Sequence, residues 1–245
     1  MSREDPYYRA DLSRIHHLGF GFHADDCAPG ILALLEPIVE RGGLVVELGC
    51  GSGLLTRYLV DAGHRVIATD ASPAMLDIAR EYVGEAHEIR RLVLPDDPIP
   101  KADAIVSTGH VFSYLPDAAA IDHALAASAE ALRPGGLLAI NICDLAWGAE
   151  RSDWNTRGWV GEDWALVTEV SLPTPDRFVR QMAIFTRNDD GSWRRDDERH
   201  DNVLIDTRLV PPLLAKYGVT AQIGDTFGSE PPLIGLKTVI GYRRS

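Results

Sequence analysis

From about residue 44 to residue 142 the chain alternates two patterns. Short runs rich in Val, Ile and Leu, namely GLVVEL (43–48), RVIAT (65–69), IRRLVL (89–94), DAIVS (103–107) and GLLAINI (136–142), are bounded by Gly, Asp or Pro. Runs of this length and make-up predict strands buried on both faces. Between them lie GLLTRYLVDAG, SPAMLDIAREYV and DAAAIDHALAASAEALRPGG, which read as helices. Ser72 is placed as N-cap of the second, with Pro73 at its first helical position. The third opens after Pro116–Asp117 and stops at Pro134–Gly135. Strands alternating with helices of this length predict βαβ units, hence an α/β fold with a parallel sheet covered on both faces.

The two ends read differently. The first forty residues predict a short helix near 7–17 and a longer one near 28–41, joined by a flexible HHLGFGFHADD, placed to cover a sheet edge or the site. After residue 145, WALVTEVSLP, RFVRQMAIFTRN and SWRRDDERHDNVLI alternate polar and apolar residues, as antiparallel strands with one wet face do. NDDGS (188–192) predicts a hairpin turn. DTRLVPPLLAKYG predicts a helix with Pro211–Pro212 near its start, and VTAQI and KTVIGYRR predict closing strands. The expected organisation is a single domain: a helical cap over 1–41, an α/β core over 42–146, an antiparallel insertion over 147–206, and a closing helix and strands over 207–245.

Composition narrows the function classes. Apolar content of 45% and charged content of 24% are ordinary for a globular protein. The formal charge of −12 argues against a nucleic-acid partner, because phosphate binding wants a basic face. Cys27, Cys50 and Cys143 are widely spaced and form no CxxC, so neither a disulfide framework nor a metal site is expected. No run reaches the length of a membrane span, and the charged opening MSREDPYYRADLSRIHHL lacks the apolar core of a secretory signal. A cytoplasmic protein is expected, as monomer or homodimer.

The chemistry concentrates in VVELGCGSGLL (45–55). A strand leading through a glycine-rich turn into a helix sets backbone N–H groups and a helix N-terminus against a ligand. A dinucleotide turn, G-x-G-x-x-G, would need glycine at residue 54, which is Leu54; Gly49, Gly51 and Gly53 are spaced G-x-G-x-G instead. VVELGCGSG resembles motif I of class I S-adenosylmethionine (SAM) dependent methyltransferases. VIATDAS, SPAML, DAIVSTGHVFSYL and LRPGGLLAINI resemble further elements of that family in the same order. The resemblance implies a Rossmann-like seven-stranded sheet, with an N-terminal helical segment and an antiparallel insertion after strand five. It implies SAM as cofactor and S-adenosylhomocysteine as product.

By the same resemblance, the Gly49, Cys50 and Gly51 backbones pack against the methionine moiety. Glu47 orients the turn or its waters, and Asp70 holds the ribose. Ala71 and Met75 line the adenine, and Gly109 offers its carbonyl to the ammonium. The family often carries an acid after strand three; here Leu92 or Val93 stands there, leaving adenine recognition to backbone. Cys50 reads as a filler rather than a nucleophile, and Met75 can equally be core.

The layout also resembles small natural-product N-methyltransferases, including those acting on amino sugars and on the azapteridine ring of the toxoflavin pathway. That implies a small-molecule acceptor, with a planar heteroaromatic one favoured by the crowding of Trp147, Trp154, Trp159 and Trp164 after strand five, although at least two of the four are expected in the core of the insertion. Methylation at oxygen or carbon, and a non-catalytic SAM-binding module, are the alternatives. Tyr7 and His110 are the candidate catalytic groups, and Tyr8, Asp144, Trp147 and Trp154 the candidate acceptor contacts. Asp144 can equally cap a turn. His16, His17 and His23 read as solvated loop, not as a metal set.

Overall fold

The computed structural model describes residues 7–84, 88–149 and 156–245. The chain opens with α1 (Ala10–Gly19) and α2 (Phe22–Glu40). The segment expected to be flexible is therefore helical, apart from a break at Phe20–Gly21. Pro29 lies inside α2 rather than at its start. An internal proline forfeits a hydrogen bond. Burial of Ala24, Cys27, Ala28, Ile31, Leu35 and Ile38 along one stripe outweighs that loss.

Strands and helices then alternate: β1 (Leu44–Leu48), α3 (Leu54–Asp61), β2 (Arg65–Asp70), α4 (Pro73–Val83), β3 (Glu88–Arg91), β4 (Ala102–Ser107), α5 (Ala118–Ala131) and β5 (Leu132–Cys143). A short α6 (Ala146–Ala149) leads to β6 (Thr156–Val160), β7 (Trp164–Thr174), β8 (Arg177–Arg187) and β9 (Trp193–Val203). The chain closes with α7 (Val210–Ala215), β10 (Val219–Gly224) and β11 (Leu236–Arg243). The expected caps are in place: Ser72 Oγ accepts from Met75 N–H at 3.2 Å, and Pro211–Pro212 fall in the first turn of α7. β3 ends sooner than expected, because Leu92 and Leu94 leave the sheet to line a crevice.

Seven strands form the expected sheet, in the order β10-β11-β5-β4-β1-β2-β3. β1 pairs in parallel with β2 and β4, and β2 with β3 and β4 with β5 likewise. β11 runs antiparallel to β5 and to β10. Alternate residues of each strand feed opposite layers. Val46, Leu48, Ile105, Leu138 and Ile140 pack with Ile121 and Leu125 of α5. Val45, Ala104, Val106, Leu137 and Ala139 pack with Ile31 and Leu35 of α2 and Leu55 and Leu59 of α3. Each large apolar side chain buried this way contributes about 1.5–3 kcal/mol. Strand order reverses between β1 and β4, which opens a crevice beyond their carboxyl ends.

The insertion is a second, antiparallel sheet, β6-β7-β8-β9. Its NDDGS turn closes with Asn188 N–H donating to Ser192 O at 2.8 Å. Leu12 and Ile15 of α1 share a core with Leu166, Met182 and Ile184 of this sheet. The N-terminal helix is thus anchored to the insertion, beside the crevice. Among the described residues, no helix is long and apolar enough to cross a membrane.

Candidate active site

The glycine turn joins β1 to α3. Gly49, Gly51 and Gly53 have φ of 70°, 54° and 84°, a left-handed path that favours glycine. Their roles separate on contact. A β-carbon on Gly49 would lie 2.2 Å from Val111 Cγ2, and one on Gly53 would lie 2.6 Å from Val83 Cγ2. One on Gly51 would meet nothing nearer than Met75 Sδ at 3.9 Å. Two glycines therefore allow close packing, and the third leaves open space over the turn.

Asp70, at the end of β2, organises this turn. Its Oδ2 accepts from Gly51 N–H at 2.9 Å and its Oδ1 from Ser72 N–H at 2.8 Å. Burial pushes the Asp70 carboxyl up, against backbone N–H groups that favour its charge. Glu47 is buried beneath the turn, where Thr56 Oγ1 donates to it at 2.6 Å. Burial pushes its carboxyl up to about 7, with the Thr56 bond pulling the other way. Burial also pushes the Cys50 thiol well above its ordinary value, so it stays protonated and is no nucleophile.

The crevice holds a cavity of about 320 Å³. It is lined by Tyr7, Tyr8, Glu47, Gly49, Cys50, Gly51, Asp70, Ala71, Met75, Leu92 and Gly109, all residues singled out from the sequence. Gly109, with φ 77°, has open space where a side chain would stand. Met75, Leu92 and Leu94 make one wall apolar.

The far end is polar, and beyond Tyr7 and Tyr8 its residues had no signal in the sequence. Tyr114 lines it, with its hydroxyl 3.0 Å from that of Tyr8. Arg180 Nη2, from β8, donates to the Tyr114 oxygen. His200 and Glu198, both from β9, stand behind: His200 Nε2 lies 2.8 Å from Glu198 Oε2, and His200 Nδ1 lies 3.4 Å from Tyr114 Oη. Burial lowers His200 to about 4, against the Glu198 hydrogen bond. Burial, then the charge of Arg180, lowers His16 to about 4. Both imidazoles are therefore uncharged at neutral pH.

Several expectations are corrected. His16 and His23 line the cavity from α1 and α2 and are not solvated loop. His17 reaches the glycine turn, its Nδ1 3.0 Å from Ser52 Oγ. His110 does not line the cavity. Its N–H donates to Asn141 Oδ1 at 2.9 Å, and its ring stacks on Tyr114 at 5.5 Å, so it supports Tyr114 from behind. Asp144 caps: its Oδ1 accepts from Ala146 N–H at 2.9 Å and its Oδ2 from the Thr207 hydroxyl at 2.6 Å. Trp147 is buried among Cys143, Phe178, Leu204 and Leu236. Trp159 and Trp164 pack under α1. Trp154 lies outside the described residues. Tyr7 keeps its place in the lining, with its ring 4.6 Å from that of His200 and its hydroxyl accepting from Asp201 N–H at 3.4 Å.

Residues 46–138 match the methyltransferase domain family. An uncharacterized methyltransferase from Anoxybacillus flavithermus is 33% identical over 45% of this chain and 52% of its own length. The chain spans about half the length of the curated relatives it matches. Among solved structures, the sugar N-methyltransferase KedS8 from Streptoalloteichus superposes with a TM-score of 0.77 at 19% identity, over 98% of this chain and 96% of that one. The SAM-bound amino pentose methyltransferase CalS10 from Micromonospora echinaspora does so with a TM-score of 0.72 at 17% identity, over 98% of each chain. At such identities the likeness establishes the fold. The domain match and the curated relatives carry the name methyltransferase, and the solved structures share this chain's fold from end to end.

Proposed function

We propose that this protein transfers a methyl group from SAM to a nitrogen of a small polar acceptor, with an amino sugar as the favoured class. The observation that carries the reading is the division of one cavity. One end has an open glycine turn, an acid and an apolar wall; the other has the hydroxyls of Tyr7, Tyr8 and Tyr114 and no described tryptophan. The likeness to sugar N-methyltransferases in fold supports the same class.

The residues present fit SAM. In this reading the methionine portion lies in the open space above Gly51, and the Gly109 carbonyl accepts from its ammonium; the open space at both glycines supports it. In the same reading Asp70 accepts from the ribose hydroxyls, and Ala71, Met75 and Leu92 wall the adenine, which their place in the cavity lining supports. Glu47 holds the turn through Thr56. When bound, SAM supplies an electrophilic methyl group on a sulfonium.

The chain's own work is then to bind a neutral nitrogen and aim it. A guanidinium only donates, so the Tyr114 oxygen accepts from Arg180 and its own proton is available to Tyr8, His200 or the acceptor. The positive charge behind Tyr114 disfavours a protonated amine and so favours the form that carries a lone pair. Holding that nitrogen in line is the main contribution asked of the site, since positioning alone is worth about 7–11 kcal/mol in favourable cases.

A second reading has one observation in its favour. The rings of Tyr7 and Tyr114, centred 5.2 Å apart and tilted by 56°, line the cavity and offer aromatic faces against which a heteroaromatic acceptor such as an azapteridine can pack. The test is incubation with methyl-labelled SAM and a panel of amino sugars, azapteridines and catechols, read by mass spectrometry. Label on the nitrogen of an amino sugar is expected. Label on a ring nitrogen selects the second reading. Label only on oxygen, or none anywhere, overturns N-methylation.

A further inference from the structure

We infer that Glu198 is a positioning residue of the acceptor end: its carboxylate, carried in by the inserted sheet, fixes Tyr8 over the cavity. The inference rests on the reading of that cavity as the site of methyl transfer. Tyr8 has φ of 60°, in the left-handed region that a tyrosine rarely adopts. Such a residue persists only where its surroundings over-determine it, and here they do. Glu198 Oε2 accepts from Tyr8 N–H at 2.9 Å, and Oε1 accepts from Arg9 N–H at 2.8 Å. The Tyr8 carbonyl accepts from the hydroxyls of Ser13 and Ser72, each at 2.7 Å.

Glu198 is 5% exposed. Burying a carboxylate is unfavourable unless donors surround it, and an apolar side chain at this buried position would avoid that cost. The donors it meets are two consecutive backbone N–H groups of the N-terminal segment and His200 Nε2. Two of the three lie outside the inserted sheet, so the acid serves the junction between sheet and segment. Its effect reaches the acceptor end of the cavity most directly, through Tyr8. Tyr8 presents its hydroxyl 3.0 Å from that of Tyr114. Ser72, which grips the Tyr8 carbonyl, also donates its N–H to Asp70. A continuous path of hydrogen bonds thus runs from the insertion through Tyr8 to the cofactor turn.

Amide hydrogen exchange on the full chain, resolved by residue with NMR, tests the clamp without any substrate. In the wild type the Tyr8 and Arg9 amides are protected. In Glu198→Ala they exchange about 100-fold faster, and in Glu198→Gln, which keeps the shape but one good acceptor oxygen, about 10-fold faster. Amides of β7 and β8 keep their protection in the Gln variant. In the methyl-transfer assay the acceptor KM rises about 10-fold in Glu198→Gln, while the SAM Kd from calorimetry stays within about threefold. Wild-type Tyr8 and Arg9 amides exchanging as in a free peptide overturn the inference. So does unchanged protection in Glu198→Gln, or equal losses for acceptor and SAM. If Glu198→Ala does not fold, the wild-type and Gln measurements decide. Intact protection in a wild-type protein that methylates nothing overturns the proposed function and leaves the clamp standing.

Discussion

Gly49→Ala is expected to destabilise the fold by about 2–5 kcal/mol, whereas Gly51→Ala leaves the protein folded and impairs SAM binding. The two positions share a backbone conformation, so both alanines carry the left-handed strain of about 1–2 kcal/mol. They differ in what the new methyl meets. At residue 49 it would sit 2.2 Å from Val111 Cγ2, deep in packed structure, and overpacking adds about 1–3 kcal/mol. At residue 51 it has no neighbour nearer than 3.9 Å and enters the space assigned to the cofactor. Thermal melts should show a loss of about 10 °C for Gly49→Ala and a few degrees for Gly51→Ala. Calorimetry should show SAM affinity lowered about 10- to 100-fold in Gly51→Ala. Adding Val111→Ala to Gly49→Ala should recover the overpacking part of the loss and leave the conformational part. Wild-type SAM affinity in Gly51→Ala would return that glycine to a purely structural role.

Asp70→Ala is expected to weaken SAM binding by about 100-fold or more. Hydrogen bonds to a charged group are worth about 1.5–3 kcal/mol, and the ribose diol offers two. Folding will register the change too, because the N–H groups of Gly51 and Ser72 lose their acceptor. Asp70→Asn separates the effects: its amide oxygen keeps one of those bonds at unchanged size, so stability recovers more than affinity does. If the Ala variant binds SAM as tightly as the wild type, the ribose does not lie at Asp70.

The residues proposed for the cofactor end could be read from the chain because each belongs to a local pattern. Buried parallel strands need apolar runs, so β1, β2, β4 and β5 announce themselves, and the turn between β1 and α3 follows from glycine spacing. Asp70 and Met75 lie within one further βα unit. The acceptor end could not be read this way. Tyr114, Arg180, Glu198 and His200 come from a turn and two strands far apart in the chain, and only tertiary pairing brings them together. The strand WRRDDERHDNV reads as having one wet face, but the inward face that buries Glu198, His200 and Asn202 is itself polar, so nothing in the pattern marks these residues as buried.

The tryptophans misled for a different reason. Their crowding after β5 suggested a stacking platform, but large apolar area is better buried than exposed, and the chain provides room for it. A β-carbon on Gly161 would lie 2.2 Å from Trp164 Nε1, and one on Gly235 would lie 2.2 Å from Trp147 Cα. Gly161 gives the Trp164 indole room, Gly235 lets the chain pass close to the Trp147 backbone, and the Trp147 side chain packs among Phe178, Leu204 and Leu236. His110 failed as a catalytic candidate in a similar way: it follows Gly109 in sequence, but the left-handed turn at both residues swings its ring behind Tyr114.

A crystal structure of the complex with S-adenosylhomocysteine tests the central claim most directly. The account predicts the ribose hydroxyls on Asp70, the homocysteine chain along Gly49–Gly51, the adenine between Met75 and Leu92, and the sulfur facing the Tyr8–Tyr114 end. A ligand bound elsewhere, or a crevice that takes a pyrophosphate in its place, would contradict it.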